Sequence, residues 1–165
     1  MGKEMSNFHL AEINVGRLRA PVDHPMIADF KDNLDRINAL ADGQPGFVWR
    51  LQGEGNNATD IQPKPDDPLF AINMSVWTDI DALAGFVYRT AHREIMRRRR
   101  EWFEAMDTYM CLWWVPAGHA PTVEEGMARL ARFERLGPTA EAFSFKVPFP
   151  APDGQSAAPV LDECA

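Results

Sequence analysis

The chain has 165 residues, 45% of them hydrophobic and 25% charged, with a formal net charge of −7. That length suits one domain with a genuine core, and the composition is that of an ordinary globular protein. The acidic balance excludes the basic footprint that nucleic acid or an anionic membrane surface requires.

No apolar run approaches the roughly 20 residues of a membrane span. The first residues lack the apolar core of a secretory signal, so a cytoplasmic protein is the expectation. Met1-Gly2 with Ser6 formally fits a myristoylation pattern that short motifs match often by chance. Asn57-Ala58-Thr59 carries no meaning as a glycosylation acceptor without a secretory signal. The two cysteines, Cys111 in a predicted strand and Cys164 near the end, make neither a disulfide framework nor a metal site.

Residues 1–7 read as a flexible N-terminus, 8–150 as a single domain and 151–165 as a loose tail. From Phe8 to Leu18 the pattern is extended, with Leu10, Glu12, Asn14 and Gly16 on one face and Ala11, Ile13 and Val15 on the other. Asp23 and Pro25 open a helix, and Met26, Ile27, Phe30, Leu34, Ile37 and Ala41 follow its apolar stripe. Gly43 and Pro45-Gly46 end it. Phe47 to Leu51 reads as a second strand, and residues 53–68, rich in glycine, asparagine and proline, as a surface loop.

Leu69 to Trp77 is a third strand, with Asn73, Ser75 and Trp77 sharing a face. Asp79 or Asp81 caps a long helix reaching about Met106. Tyr109 to Val115 is a fourth strand. Thr122 and Glu125 form a capping-box pattern opening a helix to Leu136, and Gly137-Pro138 stops it. Phe143 to Val147 reads as a final short strand. Strand, helix, strand, strand, helix, strand is the order of a ferredoxin-like α+β sheet with helices on one face. The other face then needs cover, and pairing of two copies through it would bury Trp49, Trp77 and Trp113 or Trp114. A homodimer is expected on that ground.

Several long pieces make the chain resemble a known family. They include Pro45-Gly46-Phe47-Val48-Trp49-Arg50-Leu51, Asn73-Met74-Ser75-Val76-Trp77, Arg99-Arg100-Glu101-Trp102-Phe103 and Leu112-Trp113-Trp114-Val115-Pro116-Ala117-Gly118-His119. Over roughly residues 8 to 150 the chain resembles the bacterial domain-of-unknown-function family 3291. The resemblance implies the dimeric α/β-barrel superfamily, which holds antibiotic biosynthesis monooxygenase-like, cofactor-free enzymes of aromatic polyketides and haem-degrading enzymes. The haem-degrading members use an asparagine on the first strand, a tryptophan on the second helix and a histidine later on that helix. Asn14 and His92 match the first and third by position. The tryptophan is replaced by Phe86 or Tyr88 at a shorter spacing.

The residues themselves concentrate between Trp77 and His119, which hold four of the five tryptophans and two of the four histidines. Flat side chains around an imidazole can wall a pocket for a flat ligand, or simply pack around a satisfied histidine. On a continuous helix, Tyr88, Met96 and Arg99 fall near His92. A neutral imidazole there can serve as a base or proton relay, or as an axial haem ligand. Arg99 has the spacing to hold a carboxylate or a propionate. Asn14 shares its strand face with Glu12, and paired strands bring Asn73 and Ser75 near. Polar groups on an interior face cost energy unless bonded, which suits a substrate lining or a structural network equally.

Adjacent Trp113 and Trp114 point to opposite faces. His119 sits in a loop before a helix and reads as a second acid–base group or a loop residue. There is no Walker loop, dinucleotide fingerprint, His-Glu-x-x-His or Gly-x-Ser-x-Gly motif.

Three readings follow. The first is a monooxygenase-like dimer acting on a flat aromatic or quinone-like substrate without a cofactor. It uses His92 and Asn14 for chemistry and Trp77, Phe86, Tyr88, Met96, Arg99, Trp102, Trp114 and His119 for binding. The second is a haem protein with His92 as ligand, and the third a non-catalytic ligand-binding or structural dimer.

Overall fold

The computed structural model describes residues 6–154. Four strands, β1 (Phe8–Arg17), β2 (Phe47–Arg50), β3 (Phe70–Trp77) and β4 (Met110–Pro116), form one antiparallel sheet in the order β2-β3-β1-β4. This is the ferredoxin-like order. Two central strands, β1 and β3, pair in a register that places Glu12 opposite Ser75 and Asn14 opposite Asn73.

The helices are α1 (Ala28–Asp42), α2 (Ile80–Arg89), α3 (His92–Arg97), α4 (Arg99–Trp102) and α5 (Val123–Leu136). α1 and α2 cover the sheet face that carries Leu10, Trp77 and Leu112. α5 lies on the opposite face, against Ala11, Ile13, Val15, Met74 and Trp113. Gly126 makes that approach possible, since a Cβ there would come within 2.9 Å of Met74 Sδ.

Trp77 and Trp113 are therefore on opposite faces and are 1% and 0% exposed within a single chain. Neither needs a second copy to bury it. Each fully buried indole removes about 150–250 Å² from water, about 4–6 kcal/mol of transfer free energy.

Several elements differ from the sequence pattern. Asp23 does not cap the first helix but pairs with Lys31 at 2.6 Å. His24 takes the capping role, its Nδ1 accepting from the Met26 amide at 3.0 Å ahead of a single 3-10 turn at Pro25–Ile27. Asp79, not Asp81, caps α2 by accepting from the Ala82 amide at 2.8 Å. Thr122 caps α5 as expected, while the Glu125 side chain turns to His119 instead of closing the box.

The long helix to Met106 is broken into α2, α3 and α4. At the break Thr90 is extended, its hydroxyl donating to the Phe86 carbonyl at 2.6 Å and accepting from the His92 amide at 3.2 Å. A threonine hydroxyl that satisfies local backbone groups offers the chain an alternative to continuing the helix.

The final short strand reduces to a single bridge between Phe143 and Leu112. Beyond it the chain stays attached as far as it is described. Asp153 accepts from the Ser6 hydroxyl at 2.8 Å and the Asn7 amide at 2.9 Å, joining the two ends. Gly2 and Cys164 lie outside the described residues.

At the turn into β2, Gly46 has a φ of +84°, and a Cβ there would meet Ala82 Cβ at 2.5 Å. Only glycine satisfies both demands.

Candidate active site

Between the sheet face of β1 and β3 and the helices α1 to α4 lies a cavity of about 370 Å³. Glu12, Asn14 and Gly16 line it from β1, and Asn73, Ser75 and Trp77 from β3. Strand alternation puts each trio on one face. Phe30, Leu34 and Ile37 of α1 stand opposite, and Phe86, Met96 and Trp102 close the side.

The centre of the polar floor is Glu12, only 6% exposed. Its Oε1 accepts from Asn14 Nδ2 and its Oε2 from the Ser75 hydroxyl at 3.0 Å. Ser75 Oγ in turn accepts from Trp77 Nε1 at 2.9 Å. Burial raises the Glu12 carboxyl from 4.5 to about 7, and the Asn14 and Ser75 hydrogen bonds offset only part of that rise. A carboxyl that exchanges its proton near neutrality is matched to general acid–base work.

His92 also lines the cavity, at the start of α3 and not midway along a continuous helix. Its ring packs against Phe86 with centroids 4.7 Å apart. Burial lowers its pKa from 6.5 to about 4, against a smaller opposing effect of a hydrogen bond with the Val87 backbone. The imidazole is therefore neutral at pH 7. Its Nδ1 has no partner and no accessible surface. These features make His92 a weaker base than Glu12.

Arg99 reaches the wall beside Gly16. Its Nη2 donates to the Val15 carbonyl at 2.7 Å, and its guanidinium lies over the rings of Phe103 and Tyr109 at 4.7 and 4.5 Å. The neighbouring Arg98 is turned outward, paired with Asp29 and Glu101, each at 2.8 Å. Arg97 and Arg100 are exposed.

Of the residues singled out from the sequence, Asn14, Trp77, Phe86, Tyr88, His92, Met96, Arg99 and Trp102 meet at this cavity. Trp114 and His119 do not. Trp114 shares the cavity's sheet face but stands on the edge strand beside Phe143, its Nε1 donating to the Phe149 carbonyl at 2.9 Å. His119 Nε2 pairs with Glu125 at 2.9 Å at the exposed start of α5. A loop residue outside the sheet layers has no route to a cavity under α1, and an indole at the edge-strand end follows its strand. Cys111 is buried, its thiol pushed up to about 12, and serves as packing.

Sequence reasoning offered Glu12 only as a possible lining residue, without a catalytic role, and did not place Arg50 at the site. The available signal for Glu12 was an acidic side chain in mid-strand, between Ala11 and Ile13 and on the face of Leu10. Arg50, 6% exposed, lines the cavity and is held by Asp42 and Asn56.

Haem does not fit this arrangement. The volume lies at the small end of about 300–1,000 Å³ for small-molecule sites. His92 Nδ1 has no accessible surface from which to reach an iron. Among the described residues no cluster of three or more His, Cys, Asp or Glu is arranged to hold a metal ion. No helix among them is long and apolar enough to cross a membrane.

Residues 9–159 match the family model described as "Domain of unknown function (DUF3291)", and the chain belongs to that family. No curated protein sequence matches the chain. Among solved structures, SnoaB from Streptomyces nogalater, a cofactor-independent oxygenase, aligns at 19% identity over 68% of this chain and 95% of its own, with a TM-score of 0.44. A putative antibiotic biosynthesis monooxygenase from Nitrosomonas europaea aligns at 13% identity over 70% and 95%, with a TM-score of 0.45.

Proposed function

We propose that this DUF3291 chain is a cofactor-free, monooxygenase-like enzyme acting on a flat aromatic or quinone-like substrate. The observation that carries the reading is Glu12, a buried carboxyl with a pKa of about 7 on the floor of an aromatic-walled cavity.

Glu12 takes a proton from an acidic C–H of the substrate. The resulting carbanion passes electrons to dioxygen, the co-substrate, and a C–O bond forms. The peroxide so formed is protonated from Glu12 and loses water, leaving a carbonyl. One CH₂ and one O₂ thus become one C=O and one H₂O, and all electrons come from substrate. Asn14 and Ser75 hold the carboxyl, and Asn14 is placed to meet a developing oxyanion. Its low exposure keeps the Glu12 carboxyl largely out of solvent, which is what raises its basicity. His92 and Phe86 shape the wall.

The test is oxygen uptake with anthrone as probe, whose oxidation to anthraquinone has this stoichiometry. Wild-type protein is expected to accelerate uptake with kcat/KM rising through an apparent pKa of about 7. Glu12→Gln is expected to lower kcat at least about 100-fold, the range for a general base. Uptake equal to that in buffer, or an unaffected variant, overturns the reading.

A further inference from the structure

We infer that the ligand of this cavity is an aromatic acid, its carboxylate seated on Arg99 and its reacting carbon over Glu12. The inference rests on the cavity being the substrate site.

Charged groups drawn out of water are normally paired. The other arginine on the cavity wall obeys this, Arg50 donating to Asp42 at 2.8 Å. Arg98, one residue before Arg99, carries two carboxylates. Arg99 has none among the described residues; only the Val15 carbonyl accepts from it. Burial lowers its pKa, and the acidic group acting on it is the Tyr109 phenol, not a carboxylate. A guanidinium has five N–H donors in a rigid fork. With one donated to Val15, the outer donors are unassigned at the cavity wall.

The side chain is held ready for such a ligand. The guanidinium lies over the rings of both Phe103 and Tyr109. Gly16 leaves the space it occupies, since a Cβ there would come within 3.0 Å of Arg99 Nη2. A cation fixed this way loses little freedom on binding an anion. The overall charge of −7 repels anions, so the attraction has to be local.

Position then fixes the length of the ligand. Glu12 and Gly16 lie four residues apart on one strand, ~13 Å at about 3.3 Å per residue. A carboxylate at one end and an acidic C–H at the other leave room for a skeleton of about two or three fused rings. Carboxylate at the Glu12 end is disfavoured, because a second acid there meets a buried carboxyl.

The experiment is a fluorescence titration of the full chain with 2-naphthoate and with its neutral analogue 2-naphthamide, using wild type, Arg99→Gln and Arg99→Lys. The expected result is naphthoate binding to wild type at least about tenfold tighter than the amide. Arg99→Gln abolishes that preference, and Arg99→Lys restores part of it. Equal affinity of acid and amide for wild type overturns the inference, and so does a preference that survives in a folded Arg99→Gln. Absence of binding by either probe at millimolar concentration overturns it as well. The wild-type comparison stands even where a variant fails to fold. The titration needs no turnover, so failure of oxygen uptake with the preference intact removes the oxygenase reading and leaves the acid seat.

Discussion

Replacing Glu12 by Gln separates the cost of its burial from everything else in the molecule. In the unfolded chain a glutamate ionises near 4.5, whereas folded Glu12 keeps its proton to about 7. Between those values the folded state binds more protons, so the contribution of Glu12 to stability falls as pH rises from about 4.5 to about 7 and levels off above. At about 1.4 kcal/mol per pH unit, the gap amounts to about 3 kcal/mol. For a domain of this length that is ~6–12 °C in Tm.

The wild-type curve alone will not reveal it, because His92 has the opposite sign. Its folded pKa of about 4 lies below the ordinary 6.5, so the unfolded state binds more protons there and stability rises with pH over that window. Gln removes one slope and leaves the other. Its amide can donate to Ser75 Oγ and accept from Asn14, preserving the network geometry. Thermal unfolding of both proteins from pH 4 to pH 8 should show equal Tm at the acidic end and a variant more stable by several degrees at the basic end. Parallel profiles across the whole range would refute the claim that Glu12 is buried with a proton near neutrality.

Three further perturbations test the surroundings. Ser75→Ala removes a hydrogen bond that holds the Glu12 pKa down, so the apparent pKa of kcat/KM for anthrone should move above that of wild type; a profile that moves down contradicts the network. Gly16→Ala drives a Cβ into the Phe103 ring and should cost about 1–3 kcal/mol in urea unfolding, as overpacking does. Thr90→Val deletes the hydroxyl between Phe86 and His92. It should cost about 1 kcal/mol and speed amide exchange in His92–Arg97 more than elsewhere.

Much of the scaffold was legible because strand alternation survives into the structure. Glu12 and Asn14 were readable as neighbours on a face, and the antiparallel pairing that brings Ser75 and Asn73 opposite them follows from the element order. Layering was less legible. The pattern left one sheet face to a second copy, yet α5 lies across it, because an amphipathic helix following the last strand of the sheet finds the nearest apolar surface. The helix break was hidden altogether. Nothing in the run from Phe86 to Trp102 opposes a helix strongly, and one hydroxyl at Thr90 decides where it stops. That break moves His92 from the middle of a helix to the start of another, so helical spacing misjudged its neighbours.

The choice between His92 and Glu12 as the base shows why a site is harder to read than a fold. Reference values favour histidine, which titrates near neutrality in water, over a glutamate that ionises well below it. Desolvation disfavours the charged form of both, and it acts in opposite directions on a cation and an anion. Burial in the same cavity wall lowers His92 to about 4 and raises Glu12 to about 7. The group that looks poised in sequence is thereby silenced, and the one that looks permanently ionised becomes poised. Depth in the fold, which spacing does not encode, reverses the assignment. In this chain it is the strand-borne acid between Ala11 and Ile13, and not the imidazole among aromatic rings, whose proton equilibrium lies near neutrality.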